Sequence, residues 1–229
     1  MPITTCVFDA YGTLFDVAAA ARECAAEPGR AAFAAVWPKV ANDWRLKQLQ
    51  YSWLRAIADA HTDFWEVTQN GLDFALEASN LHNDPELRER LLALYWELSA
   101  YPEVPAMLAA LKAQGLNTAI LSNGSPDMLN GAVKSAGLTD ALDAVLSVQD
   151  VGVFKPHKSV YDLVMQKFGC EPSQVLFVSS NCWDACAAVK QGFFTTWVNR
   201  AGEPMDRLPW TPQVTLKDLT TIPDIAKAN

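Results

Sequence analysis

The second half of the chain alternates short apolar runs with amphipathic stretches, and this alternation narrows the possible folds more than any other feature. After Pro102, residues Val104 to Gln114 carry helical spacing and stop at Gly115, and Leu116 to Leu121 is an apolar run ending in Ser122-Asn123-Gly124. Pro126 to Ala136 reads as a helix closed by Gly137, Ala144 to Ser147 as a short strand, and the residues after Lys155-Pro156 as a helix to Phe168. Val175 to Val178, a helix over Trp183 to Lys190, a strand over Phe193 to Val198, a last strand near Val214 and a helix from Lys217 complete the series. Strands separated by helical crossovers lie parallel, so the pattern predicts an α/β fold with a Rossmann-like, doubly wound parallel sheet.

One further strand, Ile3 to Phe8, opens the chain and ends in Asp9, after which Gly12 and Thr13 turn the backbone. From about Asp16 to Tyr101 apolar residues recur at three and four positions and no strand signal interrupts them. Asp84 followed by Pro85 marks a helix start, as N-cap and first helical residue. The expected organisation is therefore a core of residues 1–15 and 101–229 with an inserted all-helical cap, 16–100.

The chain has 229 residues, 50% of them hydrophobic, which is enough to bury a sizeable core. Its net charge of -8 argues against nucleic acid or an anionic membrane as partner. No stretch is long and apolar enough to span a membrane, and the first residues lack the basic, apolar and small-residue regions of a signal peptide; the cytoplasm is the expected location. Five cysteines without metal-ligand spacing and three histidines leave little material for a metal centre, and no metal is expected.

Three apolar runs end in short polar groups: Asp9, Ser122-Asn123, and Ser179 to Asn181. In an open parallel sheet, sites form outside the carboxyl ends of the strands, so these groups should meet in one crevice. The loop Val153-Phe154-Lys155-Pro156 adds Lys155, and the helix after Asn181 adds Asp184. Taken singly, Asp9 is a turn residue or cap, Ser122 and Asn123 are turn residues, Lys155 is solvated, and Asp184 is a first-turn helix acid. Their convergence suggests different work. A carboxylate held in place can attack an electrophile and form an ester that water later opens. Lys155 would keep Asp9 ionised and stabilise charge on the ester oxygen. Asp184 would accept a proton from water, with Ser179 and Asn181 fixing its geometry.

The segments Asp9-Ala-Tyr-Gly-Thr13, Ser122-Asn-Gly124, Val153-Phe-Lys-Pro156 and Val178-Ser-Ser-Asn-Cys-Trp-Asp184, in this order and spacing, resemble the haloacid dehalogenase superfamily. The stretch Trp44-Arg-Leu-Lys-Gln-Leu-Gln-Tyr-Ser-Trp-Leu-Arg55 and the later Asp63-Phe-Trp65 resemble its (S)-2-haloacid dehalogenase branch, also called L-2-haloacid dehalogenases. The resemblance implies hydrolysis of a small halogenated carboxylic acid, with no cofactor and with homodimer formation. It assigns attack on the α-carbon to Asp9, support of that carboxylate to Thr13 and Ser179, and the substrate carboxylate to Ser122 with backbone amides near Ala10 and Tyr11. It gives the halide to Arg45, Asn123 and Trp183, the ester intermediate to Lys155, the water to Asn181 and Asp184, and an assisting hydrogen bond to Tyr161. Leu49 and Phe64 would line the pocket. Leu46 stands where some relatives carry glutamine, which would make that side of the pocket more apolar.

Tyr11 separates the branches. Superfamily phosphatases carry a second Asp two residues after the nucleophile, to protonate the leaving alcohol. A departing halide needs no proton, and a tyrosine cannot easily supply that acid and help hold magnesium. The competing expectations are a magnesium-dependent phosphatase of the same fold, and a non-enzymatic relative that binds a partner through its cap.

Overall fold

A computed structural model describes all 229 residues, Met1 to Asn229. Six strands form a single sheet: β1 (Thr5–Phe8), β2 (Asn117–Ser122), β3 (Ala144–Ser147), β4 (Val175–Ser179), β5 (Phe194–Val198) and β6 (Val214–Leu216). Every pairing is parallel and the spatial order is β3-β2-β1-β4-β5-β6. The doubly wound sheet expected from the alternation is present. β1 lies at its centre, and all four of its residues are buried, which explains why it reads as an unbroken apolar run rather than an alternating one.

The register decides where the polar strand ends meet. Phe8 pairs with Ile120 on one side and Val178 on the other, so Asp9, Ser122-Asn123 and Ser179 to Asn181 emerge at one edge. Chain order reverses across β1, with β2 on one flank and β4 on the other, and that reversal opens the crevice beyond the strand ends.

Between β1 and β2 the chain forms α1 (Ala19–Ala26), α2 (Ala31–Ala34), α3 (Trp37–Ile57), α4 (Phe64–Glu77) and α5 (Pro85–Trp96). The remaining helices are α6 (Val104–Ala113), α7 (Pro126–Ser135), α8 (Lys158–Phe168), α9 (Cys182–Lys190) and α10 (Ile222–Ala228). Asp84 caps α5 as expected, accepting from the Leu87 amide at 2.8 Å, and Asp63 does the same for α4 at the Trp65 amide, 2.6 Å. The two passages between the sheet and the helical block run side by side: the Asp16 amide donates to the Ser99 carbonyl at 3.0 Å, and the Tyr101 amide to the Leu14 carbonyl at 2.9 Å. No helix is long and apolar enough to cross a membrane.

One element starts later than its sequence suggests. The final helix begins at Ile222, not Lys217. Asp218 accepts from both the amide and the hydroxyl of Thr220, at 2.9 and 2.5 Å, and this local turn takes the residues that would have formed the first helical turn.

Arg45 can reach the sheet edge only if α3 is held in place, and α3 packs mainly on α4. The Trp44 indole donates to the Thr68 carbonyl at 2.8 Å, and the Gln48 amide donates to the Thr68 hydroxyl at 2.9 Å and to Tyr95 at 3.1 Å. Gly71 makes this approach possible. A Cβ there would lie 3.2 Å from the Trp44 carbonyl oxygen and 3.3 Å from the Gln48 amide nitrogen, both backbone atoms that cannot swing aside. Gly71→Ala is therefore expected to lower stability by ~1 kcal/mol, the overpacking penalty exceeding the gain in helix propensity. Urea denaturation measures this; a stabilised variant would mean that the two helices separate freely.

Candidate active site

The strand-end carboxylate Asp9 is almost fully buried, and each of its oxygens is held. The Thr13 hydroxyl and the Asn181 amide both donate to Oδ2 at 3.0 Å, while the Lys155 ammonium donates to Oδ1 at 3.2 Å. Thr13 can turn back onto Asp9 because Gly12 adopts φ +87°, a conformation that side chains resist, and a Cβ there would also lie 3.0 Å from the Ser180 hydroxyl.

Lys155 reaches a second carboxylate, Asp184, at 2.8 Å. Asp184 has no exposed surface and sits in the first turn of α9. Its remaining capacity is filled by the Ser179 hydroxyl at 2.9 Å and the Tyr161 hydroxyl at 2.7 Å. The resemblance had Ser179 support Asp9, whereas the residues alone had it position Asp184; its hydroxyl donates to Asp184 and accepts from the Asn181 amide at 3.2 Å. The reason is register: Ser179 ends β4 facing α9, whereas the loop residues beyond it face β1.

Burial would depress the Lys155 pKa, but attraction to Asp184 and Asp9, together with their hydrogen bonds, outweighs it and holds the ammonium above the ordinary lysine range. Burial lifts Asp184 above the usual carboxylate range, against the pull of Lys155. Burial, and next the neighbouring Asp184, push the Tyr161 phenol far up, so it remains a donor.

A small cavity of about 20 Å³ opens beside Asp9. Its polar wall is made by Asp9, Lys155, Ser122, Asn123, Asn181 and Arg45, and its apolar wall by Tyr11, Leu49, Phe64 and Trp183. Arg45 donates through one nitrogen to the Tyr11 carbonyl and to the Asn181 side-chain oxygen, both at 3.0 Å, so Asn181 links Arg45 to Asp9. Asn123 accepts from the Lys155 amide at 2.9 Å, and Ser122 accepts from the Gly124 amide at 3.1 Å. Ala10 is buried and its carbonyl accepts from the Leu14 amide at 2.9 Å, closing the turn after β1. Tyr11 packs at 5.6 Å against Tyr95 and 6.2 Å against Phe64, and burial keeps its phenol well above the ordinary range. Every residue lining this cavity was anticipated. Thr13, Tyr161, Ser179 and Asp184 stand behind it, holding the groups that face it.

Leu46 does not line the pocket. It is 54% exposed, because Arg45 and Leu49, one helical turn apart, share the inward face and Leu46 is rotated off it. Two contacts escaped sequence reasoning, although Ser180 itself lay in an expected strand-end group. The Ser180 amide donates to the Thr13 hydroxyl at 2.8 Å, and Arg200 donates to the Thr13 carbonyl at 3.2 Å while pairing with Glu103 at 2.7 Å. Arg200 follows the fifth apolar strand, so the strand-end rule applied to Trp197-Val198-Asn199-Arg200 could have found it. No three His, Cys, Asp or Glu side chains converge to hold a metal ion.

Residues 3–192 match the model of the haloacid dehalogenase-like hydrolases. The chain is 42% identical to (S)-2-haloacid dehalogenase 1 of Pseudomonas sp. (strain CBS-3) over 224 residues, 98% of this chain and 96% of that one. A crystal structure of a dehalogenase with an intermediate complex superposes with a TM-score of 0.92 at 38% identity, covering 97% of this chain and 96% of the other. L-2-haloacid dehalogenase from Xanthobacter autotrophicus with chloropropionic acid covalently bound superposes at 0.87 and 36% identity, covering 98% of each chain.

Removing the cation leaves two buried carboxylates facing each other. Lys155→Met is expected to destabilise the fold by ~3 kcal/mol at neutral pH. Asp184, already raised by burial and now without its cation, would bind a proton more tightly in the folded chain than in the unfolded one, so stability should recover as pH falls through its raised folded value. Urea midpoints across the acid range test the sign; a midpoint that fell steadily from neutral pH would contradict it.

Proposed function

This chain belongs to the haloacid dehalogenase-like hydrolase family, and within it we propose that the chain hydrolyses short (S)-2-haloalkanoic acids to (R)-2-hydroxy acids and halide, with Asp9 as the nucleophile. The observation that carries this reading is the buried Asp9–Lys155–Asp184 cluster facing a small cavity that also holds Arg45. Two carboxylates are balanced there by two cations, so an anionic substrate meets no net negative charge, and Ser122 and Asn123 offer it polar partners. Two of the relatives named above are (S)-2- or L-2-haloacid dehalogenases, and one of these holds chloropropionic acid covalently bound.

Asp9 Oδ1 accepts one hydrogen bond, from Lys155, against two at Oδ2, and so keeps a lone pair free for attack. It attacks the α-carbon opposite the halogen; the carbon–oxygen bond forms as the carbon–halogen bond breaks, inverting the centre and releasing halide. Ser122 and amides near Ala10 and Tyr11 hold the substrate carboxylate. Arg45, Asn123 and Trp183 receive the halide, and Leu49 and Phe64 surround the α-substituent. Water, oriented by Asn181, then attacks the Asp9 carbonyl carbon. Its proton passes toward Asp184, Thr13 and Asn181 stabilise the oxyanion on Oδ2, and the bond to the ester oxygen Oδ1 breaks beside Lys155 as that oxygen takes the proton back, which frees the hydroxy acid and regenerates Asp9 as its second proton leaves to solvent. Thr13, Ser179 and Tyr161 keep the two carboxylates in place.

In this reading residues 16–100 act as a cap over a core of 1–15 and 101–229. The homodimer implied by the resemblance is supported by Leu46, Leu54 and Phe74, which leave apolar surface exposed on α3 and α4. The phosphatase alternative gains no support from the site, since Tyr11 occupies the position of its general acid.

Chloride release from (S)-2-chloropropionate, absent with the (R) enantiomer and insensitive to chelator, is the expected outcome. Asp9→Asn should reduce it to background. Single turnover in oxygen-18 water should label Asp9 before product; label passing directly to the hydroxy acid would falsify the ester scheme. The acid limb of the rate should lie above the usual carboxylate range, because Asp184 works ionised and burial raises its pKa. Tyr161→Phe removes a donor that favours the ionised form, and should move that limb to still higher pH.

A further inference from the structure

Trp183 separates two cavities. On one side lies the catalytic cavity of about 20 Å³. On the other lies a cavity of about 610 Å³, which none of the steps above uses. Its walls are mostly apolar, built by Trp53 and Ile57 of α3, Phe154 beside Lys155, Leu208, Trp210 and Trp183 itself. One face of α3 runs past both: Arg45 and Leu49 line the first cavity, and Trp53, two turns beyond Arg45, lines the second.

The Trp183 indole nitrogen is buried and has no hydrogen-bond partner. No polar contact fixes the ring, so packing alone sets its orientation. That packing comes from across the cleft: Trp53 meets Trp183 edge to face, with ring centroids 5.3 Å apart and planes at 86°. Trp53 therefore acts as the latch and Trp183 as the partition.

We propose that the larger cavity is a subsite for the alkyl chain of longer 2-haloacids, and that the Trp53–Trp183 pair closes it and sets the chain length accepted. The subsite presupposes the dehalogenase activity proposed above. The space beside Asp9 is small, so a two- or three-carbon acid stays on the near side of Trp183. A longer chain must displace the indole, and would then exchange water for the apolar walls beyond it, a favourable transfer that grows with each methylene. Trp53 touches neither the reacting atoms nor the carboxylate-binding groups and acts on the halide side only through Trp183, so its removal should alter chain-length selectivity far more than turnover of the propionate.

Halide release from (S)-2-bromopropionate and (S)-2-bromooctanoate, measured for the full chain and its variants, tests the proposal. Trp53→Ala should raise kcat/KM for the octanoate relative to the propionate by about tenfold or more, with the propionate value within about threefold of the parent. Trp53→Phe keeps an aromatic edge and should show a smaller change in the same direction. Adding Ala56→Phe to Trp53→Ala places a ring in the larger cavity and should abolish the octanoate gain while sparing the propionate. An unchanged ratio in a folded Trp53→Ala protein, checked by circular dichroism, overturns the subsite, as does a gain that survives Ala56→Phe. Should Trp53→Ala fail to fold, Trp53→Leu carries the same comparison. No bromide from the propionate with the parent chain would overturn the dehalogenase reading and the subsite with it, whereas propionate turnover without the selectivity change overturns the subsite alone.

Discussion

An ammonium with 1% of its side chain exposed lies between two buried carboxylates, 3.2 Å from Asp9 and 2.8 Å from Asp184. None of these charges would survive alone at such depth. A lone buried lysine would lose its proton, and a lone buried carboxylate would gain one. Held together they stay charged, provided that the remaining lone pairs are satisfied, and that requirement recruits much of the surrounding structure. Ser179 and Tyr161 complete Asp184; Thr13 and Asn181 complete Asp9. These partners come from β4, α8, the β1 loop and the segment leading into α9. The cluster therefore ties together most elements at the carboxyl edge of the sheet, at the depth where a nucleophile can be kept dry and ionised.

The same cluster is coupled to the helical block through one side chain. Asn181 donates to Asp9 and accepts from Arg45, so the buried carboxylate and the cation of the helical block are linked through a single amide. Arg45 owes its place to α3, and α3 owes its position to the close contact with α4 at Gly71 and to the buried hydrogen bonds of Trp44 and Gln48. On the far side of the nucleophile loop, Arg200 holds the Thr13 carbonyl, pairs with Glu103 and covers the Tyr101 ring at 3.7 Å. It thereby joins the loop that positions Asp9 to the passage by which the chain returns to the sheet.

Legibility in the sequence followed the range of the interactions involved. β3 and the start of α6 fall where spacing and Gly115 put them, and Asp84 caps α5, because strand pattern, caps and stop signals act over a few residues. The catalytic cavity was legible for a different reason. A parallel sheet obliges its strands to end at one edge, so Asp9, Ser122, Asn123 and Asn181 had to converge once the strands were identified. The helix start at Lys217 was displaced by the Asp218 turn, a side-chain preference that the periodicity does not carry. Ser180 lay within an expected strand-end group and Arg200 just after a strand, but their partner Thr13 is far away in the chain, so their contacts with it left no local signature.

The order of residues was sufficient to settle the class of fold, the edge of the sheet at which the polar strand ends gather, and the presence of a tyrosine two residues after Asp9. Each of these follows from local pattern or from residue type. Folding had to assign the partners. Ser179 serves Asp184 rather than Asp9, Leu46 faces outward while Leu49 faces in, and Trp183 stands between two cavities with Trp53 against it. Hydrogen bonds and packing contacts depend on ångström-scale distances between segments widely separated in the chain, and those distances exist only once the sheet register and the seating of α3 are set.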